Sequence, residues 1–174
     1  RLSGVSVNSE VIVPTVTFIA AVNPVKYLGA EPIFMDCDNS LNMDCGKLEE
    51  FFENECVITN SGLKNKNTNR YIKALIVVHV FGNMANVEKI KELTDKYKIK
   101  LIEDATEALG TYYTSGKYKG RFAGTIGDFG AYSFNGNKII TTGGGGILIG
   151  KSSEDIKKAK YLSTQAKDDE LYYI

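Results

Sequence analysis

Two segments of the sequence place a titratable side chain at, or a short polar loop beyond, the end of an apolar run. Lys100-Leu101-Ile102-Glu103-Asp104 ends on a carboxylate, and Ser133-Phe134-Asn135-Gly136-Asn137-Lys138 runs from a strand-like stretch towards Thr141-Thr142 and the glycine run Gly143–Gly146. In parallel α/β sheets ligands bind beyond the carboxyl ends of the strands, so both places are within reach of a cofactor. Asp104 could face such a cofactor or cap a following helix, and position alone does not decide between the two. Lys138 could be an ordinary solvated lysine, yet it stands between a strand end and glycines whose backbone can approach a ligand closely. The glycine run is not a Walker A loop, because no Gly-Lys-Ser/Thr follows it and the lysine precedes it. Nor is it a dinucleotide fingerprint, since no helix opens directly from it. His79, the only histidine, ends another apolar run, where a hydrogen-bonded structural role suits it better than a catalytic one. Cys37, Cys45 and Cys56 are odd in number and spaced like no zinc site, so they read as free thiols and no metal is expected.

The elements that must position these residues are short apolar runs alternating with helical stretches. Glu10–Val13, Pro32–Met35, Lys73–Val80 and Lys100–Glu103 read as strands, followed by Phe129–Phe134 and Gly146–Ile149 as neighbours in a sheet. Helices are predicted over Thr17–Leu28, Lys47–Glu53 entered through Asp44, Val87–Tyr97, and Ser153–Thr164 with Ser153 as its cap. Thr111–Tyr113 and Lys117–Lys119 flank Thr114-Ser115-Gly116 as a hairpin or excursion, and Asn60–Asn69 reads as a solvated polar insertion despite Lys64 and Lys66. The alternation predicts an α/β fold with a mainly parallel sheet covered by helices.

Composition removes several classes of function. With 174 residues, 43% of them hydrophobic, the chain can bury one sizeable core. Its 21 basic residues balance 21 acidic ones, which removes the positive field that non-specific nucleic-acid binding needs, so no nucleic acid is expected. The longest apolar runs, such as Ala74–Val80, are too short to span a bilayer, and no signal-type segment opens the chain. The expectation is a cytoplasmic protein without a membrane partner.

Taken in order, Val11-Ile12-Val13-Pro14-Thr15-Val16-Thr17-Phe18, Val78-His79-Val80-Phe81-Gly82, Ile102-Glu103-Asp104-Ala105-Thr106-Glu107-Ala108-Leu109-Gly110, and Ser133–Lys138 leading into Thr141–Gly146 resemble the motifs of the DegT/DnrJ/EryC1/StrS family of sugar aminotransferases. Each motif alone could arise by chance; their order and spacing make the match specific. Ser163-Thr164-Gln165-Ala166-Lys167-Asp168-Asp169 is similar to the subgroup serving legionaminic-acid-type pathways.

That resemblance implies a fold type I transferase large domain that binds pyridoxal 5'-phosphate (PLP). It implies Lys138 as the Schiff-base lysine, which also moves a proton between substrate and cofactor, as suits a lysine beside a cationic ring. Asp104 would pair with the pyridine nitrogen and keep it protonated. Ser133 would hydrogen-bond the phosphate, Phe18 would stack on the ring, and Glu107, on the same side of a helix opening at Asp104, would lie near the cofactor's oxygen. The implied reaction carries an amino group from an amino acid, with glutamate as the expected donor, to a nucleotide-linked keto sugar in bacterial surface-sugar biosynthesis. A PLP-dependent sugar dehydratase is the near alternative, against which Lys138 argues because dehydrating members carry histidine there. A noncatalytic doubly wound ligand-binding domain is the alternative from another class.

The family's members are longer than this chain. Residues 1–174 are therefore expected to form a PLP-binding large domain incomplete at both ends, with the upstream Ser-Gly-Thr phosphate segment and the C-terminal small domain outside it. A partner-completed site implies a homodimer, with Gly143–Gly146 close to the subunit boundary.

Overall fold

The computed structural model describes residues 1–166. Its first strand, β1 (Ser9–Pro14), is buried along its whole length, as an unalternated Val11-Ile12-Val13 run requires of a strand covered on both faces. The chain continues through a 3₁₀ turn (Ile19–Ala21), α1 (Asn23–Tyr27), β2 (Glu31–Met35), α2 (Cys45–Glu55), β3 (Cys56–Thr59), β4 (Gly62–Asn65) and β5 (Tyr71–Val78). A second 3₁₀ turn (Val80–Gly82), α3 (Val87–Lys96), β6 (Lys100–Asp104), β7 (Phe129–Ser133), β8 (Gly146–Gly150) and α4 (Ser153–Ser163) complete it.

The sheet runs β2-β1-β5-β6-β7-β8. Its first four pairings are parallel and β8 closes it antiparallel to β7, so the expected mainly parallel α/β sheet is what forms. Residues one apart along β5 serve opposite layers. Leu75 and Val77 join α2 and α3 through Leu48, Phe52, Ile90 and Leu93, whereas Ala74, Ile76 and Val78 join α1 through Val22 and Val25. Each fully buried Leu or Ile in these layers contributes about 1.5–3 kcal/mol, so the two layers fix the sheet against its helices.

Three local expectations are corrected. The predicted helix over Thr17–Leu28 splits into the 3₁₀ turn and α1, because Pro24 lies in the first turn of α1, where its missing N–H is tolerated, and could not sit inside a continuous helix. The cap of α4 is Ser152, whose hydroxyl accepts from the Asp155 amide at 3.1 Å, and Ser153 is the first helical residue. Asn60–Asn69 is not wholly a solvated insertion: β3 and β4 pair antiparallel around Asn60-Ser61, and Leu63 and Asn65 are buried. Asn65 donates to the buried carboxylate of Glu10 at 3.1 Å, tying the hairpin to β1. The excursion after Gly110 forms through a single bridge between Tyr112 and Phe122. Asp44 caps α2 as expected, accepting from Gly46 and Lys47. The three cysteines are free thiols, and no helix among the described residues is long and apolar enough to cross a membrane.

Candidate active site

The carboxyl ends of β5, β6 and β7 lie side by side, with Asp104 in register with Val78 on one flank and Ala131 on the other. Asp104 is half-buried. One of its oxygens accepts from the Thr106 amide at 3.1 Å, and the other has no hydrogen-bond partner among the described residues. A cleft of about 290 Å³ opens over it, walled by Val16, Val78 and Val80 and flanked by Phe18, Phe81 and Glu107. Phe18 follows β1, and its ring is 74% exposed.

No helix begins after Asp104, which corrects the expected route for Glu107. Ala108 bonds back to Ala105, and Thr111 to Ala108, in successive four-residue turns. The Asp104 side chain therefore closes a turn rather than capping a helix, and Glu107 reaches the same cleft through that turn.

Lys138 lies in the segment joining β7 to β8. That segment is held by its own bonds: the Thr142 amide and the Thr141 hydroxyl both donate to the Phe134 carbonyl, at 3.1 and 3.0 Å, and the Phe134 amide donates to Gly145. The Lys138 amide donates to the Asn135 carbonyl at 3.0 Å, but its amine makes no hydrogen bond or ion pair among the described residues. With Asn137 and Ile139 it lines a second cleft of about 320 Å³, which shares Phe81, Thr106 and Glu107 with the first. The structure thus brings Phe18, Asp104, Glu107 and Lys138 around two adjoining clefts. Ser133, last in β7, is not a wall of either; its hydroxyl accepts from the Asn135 amide at 3.3 Å.

Beneath the site lies a polar cluster that reasoning along the chain does not reveal. The fully buried Glu103 carboxylate accepts from the amides of Gly124 at 2.9 Å, Ile126 at 2.6 Å and Gly127, and from His79 Nε2 at 3.1 Å. His79 Nδ1 accepts from the Ala85 amide, which assigns the ring proton to Nε2. Burial pushes the Glu103 pKa up, but His79 and the glycine amides more than offset it and leave the carboxyl below its ordinary range. His79 is therefore structural, as its position suggested.

A second feature without a sequence signal is Phe81. Its backbone is left-handed at φ 53°, ψ 26°, a conformation that costs a residue with a Cβ roughly 1–2 kcal/mol. The Glu107 carboxylate accepts from the Phe81 amide at 2.8 Å.

A mainly parallel sheet layered with helices on both faces, as here, is the architecture of the fold type I PLP-dependent transferases among its structural neighbours. The chain belongs to the DegT/DnrJ/EryC1/StrS aminotransferase family, whose model matches residues 1–173. GDP-perosamine synthase of Escherichia coli O157:H7 is 42% identical over 146 residues, covering 84% of this chain and 35% of that protein. GDP-perosamine synthase of Caulobacter vibrioides is 35% identical over 171 residues, covering 98% and 40%. The crystal structure of a DegT DnrJ EryC1 StrS aminotransferase from Brucella abortus superposes with a TM-score of 0.81 at 29% identity, covering 98% of this chain and 43% of that one. The chain spans less than half the length of each of these proteins. Two of them are named for perosamine rather than for the expected legionaminic-acid type, and Ser163–Asp169, which carried that expectation, leaves the described residues at Lys167.

Proposed function

We propose that this chain supplies the PLP-binding part of an aminotransferase that moves an amino group from an amino acid to a nucleotide-linked keto sugar. The observation that carries the reading is the pairing of Asp104, with one oxygen free towards an apolar cleft, and Lys138, with a free amine in the cleft adjoining it. These residues fit the cofactor. A flat, apolar-faced ring with one basic nitrogen suits a cleft of valine side chains that holds a carboxylate with one oxygen unengaged among the described residues.

When bound, PLP supplies an electron sink for charge developing at the substrate carbon. The chain's residues do the rest. Asp104 holds the proton on the ring nitrogen, since an ionised carboxylate close by favours the charged form. Phe18 would cover one ring face, and Ser133, whose hydroxyl accepts from the Asn135 amide and keeps its own proton to give, would donate to the phosphate. Lys138 would hold the cofactor covalently, and its amine, which has no polar partner among the described residues, would move the proton at the substrate carbon. Glutamate is the proposed donor, and the acceptor is a GDP- or UDP-linked keto sugar of bacterial surface-sugar synthesis. Transamination rather than dehydration is proposed because position 138 is lysine. The working form is proposed to be a cytoplasmic homodimer.

The test is spectroscopic and then kinetic. Protein mixed with PLP should absorb at the visible edge, and borohydride should fix the cofactor to Lys138, read by peptide mapping. Amino transfer from L-glutamate, with L-glutamine in parallel, is then assayed against a panel of GDP- and UDP-linked 3-keto and 4-keto sugars. Absence of any adduct at Lys138 in the complete protein would favour the noncatalytic or inactive ligand-binding domain instead.

A further inference from the structure

Phe81 has a left-handed backbone, is 72% exposed as a residue, and lines both clefts. Neither property favours the fold: a Cβ is crowded at positive φ, and a ring left in water gains nothing from burial. Four side chains nevertheless fix the segment around it. Asn42 accepts from the Val80 amide at 3.2 Å, Glu107 from the Phe81 amide at 2.8 Å, and the Thr111 hydroxyl donates to the Gly82 carbonyl at 3.1 Å. His79, two residues earlier, is locked between Ala85 and Glu103. Gly82 is itself at φ 84°, and a Cβ there would meet the Glu107 carbonyl at 3.1 Å, so the strained segment is also pressed against the turn that carries Glu107. All of these bonds grip the backbone or its anchors, and none touches the ring; their common effect is to set where the ring stands. Strain held in place by over-determined surroundings is characteristic of functional positions.

We propose that Phe81 is a substrate-positioning residue whose ring receives the apolar face of the acceptor sugar, and that Glu107 acts through it by holding its backbone. This deepens the aminotransferase reading above and rests on it. The two rings of the site differ in reach. Phe18 lines only the cleft over Asp104, which suits it to the cofactor, whereas Phe81 stands in the wall common to that cleft and the Lys138 cleft. An acceptor seated in the Lys138 cleft would lie against this wall. A sugar ring presents a face of C–H bonds that packs on an aromatic ring, leaving its hydroxyls free for other partners.

The test uses the complete PLP-loaded protein and reads the two half-reactions separately, with L-glutamate as donor probe and the keto-sugar panel as acceptor probe. Phe81→Gly removes the ring and the backbone strain together. The expected result is a rise of about tenfold in KM for the best keto sugar, the size of one lost aromatic contact with its buried area. Cofactor absorbance and the glutamate half-reaction should change less than that, and the thermal midpoint should stay at or above the wild-type value. Phe81→Tyr, which keeps the ring, should recover most of the lost affinity. Glu107→Leu should raise the acceptor KM in the same direction, and adding it to Phe81→Gly should raise it little further, because both act through one ring. Weakened cofactor retention with both half-reactions slowed alike would assign the ring to the cofactor and overturn the proposal. A lower thermal midpoint with an unchanged acceptor KM would make Phe81 structural, and full additivity would separate Glu107 from it. Wild-type protein that shows no cofactor absorbance overturns the aminotransferase reading itself, a result distinct from every variant outcome.

Discussion

At the scale of single residues, the proposed roles of Asp104 and Lys138 rest on what these side chains do not bind. A carboxylate with both oxygens committed could not answer a ring nitrogen, and an amine held in an ion pair could not attack; Asp104 keeps one oxygen free, and Lys138 has no polar partner among the described residues. Asp104→Asn should therefore leave PLP bound but lower turnover on the order of 10²–10³-fold, since an amide cannot stabilise the ring cation. Turnover near that of the wild type would remove Asp104 from the site. Lys138→Ala should lower turnover by at least about 10³-fold with an unchanged urea midpoint, because the side chain carries no fold contact beyond its own half-buried stem. A matching loss of stability would make Lys138 structural. The positions of both at strand ends were legible in the sequence, because Asp104 closes the apolar run that becomes β6 and Lys138 follows the one that becomes β7. Phe81 was not: the sequence places an aromatic beside Gly82, but the positive φ depends on Glu107, 26 residues away, and no local pattern announces it.

At the scale of elements, Glu103 shows how the strand ends and the connection between β6 and β7 are held as one unit. Its two oxygens take donors from that connection and from His79 beyond the end of β5, so removing its charge leaves amides facing an NH₂ group at a fully buried position. Glu103→Gln should cost on the order of 2–4 kcal/mol in urea unfolding at neutral pH. The pH dependence follows from the depressed pKa of Glu103 in the fold. Its contribution is fully present above the unfolded-state pKa near 4.5 and is lost as pH falls through the lower folded-state value, so wild type and variant should converge in strongly acid solution. A constant gap between them across that range would show that the carboxylate charge is not what stabilises the connection. The strands and the helices α2 and α3 were readable because apolar periodicity and the Asp44 cap are local signals. The β3–β4 hairpin was not, since its inward positions are Leu63 and a buried Asn65, and the asparagine became an inward residue only because Glu10 of β1 was there to bind it.

At the scale of the molecule, the two layers of the sheet are not equally covered at every point. β8 is exposed along nearly its whole length and α4 buries no residue, while Ile139 and Ile140, beside Lys138, are 66% and 59% exposed. A Cβ added at Gly143, Gly144 or Gly145 would meet nothing within 4 Å, so the glycine run leaves open space beside the site. Apolar surface of this kind next to a cleft marks a surface that another body covers. In the proposed homodimer that body is the second subunit, which would also bring donors to a phosphate that Ser133 alone cannot satisfy, since a dianion takes several charge-assisted hydrogen bonds. The complete protein should sediment as a dimer, and Ile140→Asp should shift it towards monomer, because a carboxylate in an apolar interface must either be desolvated or prevent closure. Activity and cofactor retention should fall with the dimer fraction and return at high protein concentration, since a site shared by two chains follows mass action. If Ile140 is instead covered by another part of the same chain, the substitution should lower the thermal midpoint at constant sedimenting mass. A monomer that keeps full activity on dilution would show that one subunit completes its own phosphate site, and the glycine run would then need no partner to explain it.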